Sequence, residues 1–110
     1  RVGAYTTSKM SLITDNKERI VIKEQGGVEV KGTLGIKVQY PGNDVDLQVA
    51  GAIRFADKRL AVGNEMPITG NNNQGDIVYD TKPVAGGYMG WVCIEGGAPG
   101  IWKQFGKIEA

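Results

Sequence analysis

The sequence contains no histidine and a single cysteine, Cys93. Without imidazole, a Ser-His-Asp triad, a Cys-His pair and the commonest general base are all excluded. One cysteine and no histidine cannot assemble the Cys/His ligand sets of zinc sites, and a lone cysteine makes no internal disulfide. Cys93 lies in the apolar run Trp91-Val-Cys-Ile94, where a small buried thiol is the expected role rather than a reactive one. No cofactor and no metal are expected. No apolar run approaches the roughly 18 residues that cross a bilayer as a helix, so membrane insertion is not expected either. Charge of neither sign dominates: 13 basic residues, adjacent only at Lys58-Arg59, are spread against 12 acidic ones, which gives no nucleic-acid-binding patch. The chain opens at Arg1 with neither Met nor a charged-then-apolar leader, and reads as a processed product or an excised piece of a longer one.

Glycine, by contrast, is abundant. Its 17 occurrences in 110 residues are about twice the usual share of roughly 7%. They recur between short apolar segments, where each would cost a helix about 1 kcal/mol. The expected fold class is therefore all-β, built from short antiparallel strands and hairpins.

Strands are expected at Val2 to Thr6 and Met10 to Thr14, with Asp15-Asn16 turning the backbone. Glu18 to Glu24 and Val28 to Lys31 form a hairpin around Gln25-Gly26-Gly27. A three-residue loop there sets Ile22 opposite Val30 and Lys23 opposite Glu29, so that apolar meets apolar and opposite charges meet. Thr33 to Tyr40, Asp46 to Ala50 and Ala52 to Phe55 alternate as strands. Ala56 to Arg59 reads as a four-residue hairpin loop before Leu60 to Val62, or as one helical turn, since Ile53, Ala56 and Leu60 share helical spacing. The polar run Asn71-Asn-Asn-Gln74, between Gly70 and Gly75, reads as a linker. Three regions result: a hairpin region at 1–62, a polar linker at 63–75, and a three-stranded β tip at 76–110.

Few constellations invite chemistry. Asp44 and Asp46 follow a Pro-Gly turn but lack further acidic ligands, and a solvated loop is expected. Asp76 and Asp80 bracket Ile77-Val-Tyr79 at strand ends, where Asp usually caps turns. Gly96 to Gly100 matches no phosphate-binding pattern and reads as a hairpin connection. Gly86-Gly87 reads as a turn. Ser8-Lys9 and Ser11 do not make a dyad, because adjacent strand residues point to opposite faces. No catalytic residue is assigned.

The aromatics are more informative. Along Tyr88 to Ile94, Tyr88, Gly90, Val92 and Ile94 share one face, and Met89, Trp91 and Cys93 the other. Along Ile101 to Phe105, Trp102 and Gln104 oppose Ile101, Lys103 and Phe105. Pairing of the two strands places both tryptophans on one sheet face, either as the core of a small sheet or as a stacking platform for carbohydrate. Tyr88, Trp91, Trp102 and Lys103 are the candidate carbohydrate-binding residues.

The strings Gly75-Asp-Ile-Val-Tyr79, Gly86-Gly-Tyr-Met-Gly-Trp-Val-Cys93 and Ala98-Pro-Gly-Ile-Trp-Lys-Gln-Phe-Gly106 resemble the closing segment of phage tail fibre, tail spike and appendage proteins. A similar ending occurs in some pectate-lyase-like β-helix proteins. Ile13 to Ile22 with Gly26 to Val30 is similar to repeated hairpins of fibre shafts and tips. The resemblance implies a non-enzymatic, homotrimeric C-terminal domain of the virion tail that registers three chains and contacts a host cell-surface polysaccharide. Intertwined strands of three copies would cover the many open edges of so short a chain. A carbohydrate-binding accessory module of a polysaccharide-degrading protein is the first alternative. A self-released assembly chaperone is the second, although the Ser-Lys arrangement of one such family is not recognisable here.

Overall fold

The computed structural model describes residues 9–110, so the strand expected at Val2 to Thr6, and Ser8, lie outside the described residues. Among these residues there are ten short strands and no helix: β1 (Met10–Thr14), β2 (Lys17–Ile22), β3 (Val28–Val30), β4 (Leu34–Ile36), β5 (Leu47–Val49), β6 (Ile53–Phe55), β7 (Lys58–Gly63), β8 (Ile77–Asp80), β9 (Tyr88–Glu95) and β10 (Ile101–Lys107). The fold is all-β with open sheets, arranged in two compact units, Arg1–Ala50 and Gly51–Ala110.

In the first unit, β1, β2 and β3 form an antiparallel sheet in that order. Asp15 and Asn16, at φ 52° and 57°, make the two-residue turn between β1 and β2. Short polar side chains tolerate this left-handed backbone, whose twist suits a hairpin. A register shift between Leu12 and Ile13 interrupts the pairing near that turn. The next hairpin keeps the expected loop type but slides by two residues: Ile22 pairs with Val28, Val21 with Glu29 and Ile20 with Val30. The cause is local. Gly26, at φ 93°, takes the left-handed position, with its N–H donating to the Lys23 carbonyl at 2.9 Å and the Lys23 N–H to Gly27 at 2.8 Å. The loop is thus Glu24-Gln25-Gly26, and an even slip keeps every side chain on its expected face.

The expected strand at Thr33 to Tyr40 is cut to β4, because Lys37 turns to φ 59°. β4 then pairs with β5 in parallel, Leu34 beside Leu47 and Ile36 beside Val49. This corrects a purely antiparallel expectation.

The second unit is a five-stranded sheet of order β10-β9-β8-β7-β6. The β6–β7 hairpin is present as expected, but its loop has two residues, Ala56-Asp57, since Phe55 already pairs with Lys58. β7 and β8 run parallel, and parallel neighbours require a crossover. Residues 64–76 supply it. The stretch 63–75, read from its composition as a linker, lies inside the second unit, and the two compact units meet at Ala50/Gly51. The expected three-stranded tip is correspondingly the β8–β10 part of a larger sheet. At its C-terminal end, Gly86 donates to Glu109 at 2.8 Å and Ile108 to Gly87 at 2.9 Å, which ties residues 108–109 to the Gly86-Gly87 turn.

Only four hydrophobic residues are buried among those described: Val21 in the first unit, and Val78, Cys93 and Trp102 in the second. Trp91 packs against the latter three.

Candidate functional site

Register and strand alternation sort the side chains of each sheet into two faces. In the three-stranded sheet, beyond the polar Thr14–Lys17 pair at the turn, one face carries two rows, Met10–Ile22–Val28 and Leu12–Ile20–Val30. All six are apolar and none is buried; Leu12 is 48% and Val28 63% exposed. The other face is charged. Lys9, Glu18, Lys23, Glu29 and Lys31 line an open groove around Val21, whose burial is explained by the aliphatic stems of the lysines.

Within that groove the charges satisfy one another. Glu18 meets Lys9 at 2.7 Å and Lys31 at 3.5 Å and accepts the Ser11 hydroxyl at 2.6 Å. The Lys9 ammonium, followed by the Ser11 hydroxyl, draws its carboxyl from an ordinary 4.5 down to about 2. Lys23 pairs with Glu29 at 3.5 Å. Cations and carboxylates alternate, leaving no field of one sign.

In the five-stranded sheet, the expectation that both tryptophans share a face holds: Trp102 pairs with Cys93 and Gln104 with Trp91. Their face also carries Ala61 and Val78. Trp102 is only 6% exposed, and its indole N–H donates to the Pro99 carbonyl at 2.9 Å. The Trp102 indole is therefore core, with no ring face free for a sugar, and the half-buried Trp91 packs against that core. Tyr88 and Lys103 lie on the opposite face, so the four candidate residues divide two and two between the sides of the sheet.

That opposite face is unusual in composition. One row runs Ile53–Leu60–Ile77–Val92–Lys103, the next Val62–Tyr79–Gly90–Phe105, and a third pairs Tyr88 with Lys107. Gly90 is buried between two aromatic positions, and the rings of Tyr79 and Phe105 approach across it to 6.3 Å between centroids, tilted by 48°. A side chain at Gly90 would collide with the Val78 carbonyl and come within 3.0 Å of the Tyr79 Cα. The Lys107 ammonium lies 4.9 Å from the Tyr88 ring centroid and donates to the Gly86 carbonyl at 2.6 Å. Sequence alternation placed Tyr88 with Gly90 and Val92. Tyr79 and Lys107 joined them only once the register was known.

The most highly ordered polar cluster is structural. Asp76, 2% exposed, accepts the Arg59 N–H and the Asn73 N–H, each at 2.9 Å. Asn72, 5% exposed, donates to the Pro99 carbonyl at 3.0 Å, accepts from the Arg59 guanidinium at 2.9 Å, and bridges Gly97 through both backbone groups. Every donor and acceptor has a partner, so these residues hold the crossover against β7 and the β9–β10 turn. Asp80 accepts the Lys82 N–H at 2.9 Å, the turn role expected for it. Asp44 is exposed, as is Asp46. No group of three metal-ligating side chains occurs among the described residues.

Comparison of the chain with protein-family models, with curated proteins and with solved structures finds no match.

Proposed function

We propose that the chain is a non-enzymatic structural module that assembles as a homotrimer, the C-terminal domain of a phage tail fibre or tail spike on the virion surface, positioned to contact the host. One observation carries the association: Met10, Leu12, Ile20, Ile22, Val28 and Val30 form an apolar patch that nothing among the described residues buries, bordered at the turn by Thr14 and Lys17. Fully burying each such side chain contributes about 1.5–3 kcal/mol. A chain with only four buried hydrophobic residues among those described has a strong drive to cover that face. The edge strands β1 and β3 of the same sheet offer unpaired backbone groups beside it. The number three comes from the resemblance of the Gly75 to Gly106 strings to fibre and spike endings.

Sedimentation equilibrium at micromolar protomer concentration tests this reading. The expected mass is three times the 11.8 kDa of the chain. Val28→Lys should give a folded monomer, because a surface change alone costs within about 0.5 kcal/mol whereas an unpaired charge in an interface costs several. A clean monomer for the parent chain would sink the proposal.

A further inference from the structure

We infer that the β9–β10 half of the aromatic face, formed by Tyr79, Tyr88, Lys103, Phe105 and Lys107, binds an acidic polysaccharide, its sugar rings against the aromatics and its carboxylates on the lysines. The assignment rests on the reading of the chain as a host-contacting module and gives that contact a chemical class. Charge is what selects the occupant. The strand residues on this face include Lys58, Lys103 and Lys107 against a single carboxylate, Glu95, which the bulge between Ile101 and Trp102 sets opposite Ile101, at the end of β10 away from Lys107; Asp80 alternates onto the tryptophan side. Lys58 is occupied, donating to the Gln74 carbonyl at 2.6 Å, but Lys103 is exposed and has no ion-pair partner among the described residues.

A second copy of the same face would set lysine against lysine, which disfavours self-association here. A small anion is equally poorly matched. Lys103 and Lys107 stand four residues apart on one strand, about 13 Å at strand rise, with Phe105 between them. Charges at intervals along a chain, separated by flat apolar ring faces, fit that spacing. Half-buried Tyr79, Tyr88 and Phe105 supply fixed ring surfaces, and the Lys107–Tyr88 contact holds one cation beside a ring. The groove of the three-stranded sheet has as many lysines but pairs them internally, and so lacks this selectivity.

Titration calorimetry of the whole chain with hexagalacturonate, with neutral maltohexaose and with ringless polyphosphate tests the inference. Hexagalacturonate should bind at least tenfold more tightly than either control. Lys103→Gln should weaken it roughly two- to fivefold, the effect of one exposed ion pair. Lys103→Arg should restore it. Gln104→Glu makes the same change in net charge on the opposite face and should leave affinity unchanged. Equal binding of polyphosphate, equal loss in Gln104→Glu, or no binding of hexagalacturonate overturns the inference. Sedimentation of the same samples keeps the two ideas apart: a trimer that ignores hexagalacturonate removes only the glycan assignment, and a monomer that binds it removes only the assembly.

Discussion

Removing the Asp76 carboxylate should be among the most damaging single changes in the second unit. The side chain is 2% exposed and satisfies two backbone donors, those of Arg59 and Asn73, each at 2.9 Å. Asp76→Ala leaves both N–H groups without a partner where water has little access. Each orphaned donor costs about 1–3 kcal/mol, so the pair costs about 2–6 kcal/mol. For comparison, a unit of this size has about 3–9 kcal/mol of total stability at 0.05–0.15 kcal/mol per residue. Asp76→Asn keeps one acceptor and turns an amide NH2 toward the other donor, so it should cost about half as much. Thermal unfolding at a fixed protomer concentration reads the difference. At about 4–8 °C per kcal/mol for a domain this small, Asp76→Ala should melt at least 10 °C below the parent and Asp76→Asn between them. Amide exchange at Arg59 and Asn73 should accelerate in the alanine variant. A loss below about 1 kcal/mol, with those two amides still protected, would refute the claim that this carboxylate holds the crossover.

Three further outcomes follow from the geometry. Gly90→Ala must displace the Val78 carbonyl and separate the Tyr79 and Phe105 rings, costing about 1–3 kcal/mol by urea denaturation and altering the ring-edge chemical shifts. Trp102→Phe keeps an aromatic but loses the bond to the Pro99 carbonyl and part of the packing against Val78 and Cys93. Its cost of about 1–3 kcal/mol should appear as a lower urea midpoint. Glu18, with its folded pKa depressed, contributes stability that is fully present above pH 4.5 and lost as pH falls toward about 2. Carbon-detected titration should show its midpoint near 2, rising toward 4.5 in Lys9→Met; a parent midpoint of 4.5 would contradict the Lys9 contact.

Local chemistry was readable wherever one short segment decided its own shape. The Asp15-Asn16 turn, the bounds of β1, the loop type before β3 and the common face of Trp91 and Trp102 depend on turn residues and two-residue alternation. What escaped depends on pairing between distant segments. Nothing in Leu34-Gly-Ile36 or Leu60-Ala-Val62 announces a parallel partner, since alternation is the same in both ladder types. Once β7 and β8 run parallel, residues 64–76 must carry the chain back along the sheet, and Asn72 becomes a buried hydrogen-bonding group instead of solvated linker. The candidate site was split by alternation alone: Tyr88 and Lys103 lie opposite Trp91 and Trp102 along their own strands, and the register keeps them there, while Tyr79 and Lys107 join Tyr88 and Lys103 only through pairing across strands.

The two apolar surfaces of this chain are therefore not equivalent, and the difference lies in their charge. On the three-stranded sheet, the six central face positions are aliphatic or methionine, with Thr14 and Lys17 at the turn end, while Lys9, Glu18, Lys23, Glu29 and Lys31 lie on the reverse and pair there. Such a face gains nothing from water and demands no specific counter-charge, which suits an identical neighbour. On the five-stranded sheet, apolar rows end in lysines at β10, so any partner that covers the aromatics must also accommodate positive charge. Covering it with another copy would strand those ammonium groups away from water at several kcal/mol each, unless carboxylates came with the partner. The same chain copied three times supplies from this face only Glu95, one carboxylate against Lys58, Lys103 and Lys107. The proposed assembly through the first surface would cover the aliphatic rows, and the proposed anionic recognition through the second would give Lys103 and Lys107 their counter-charge.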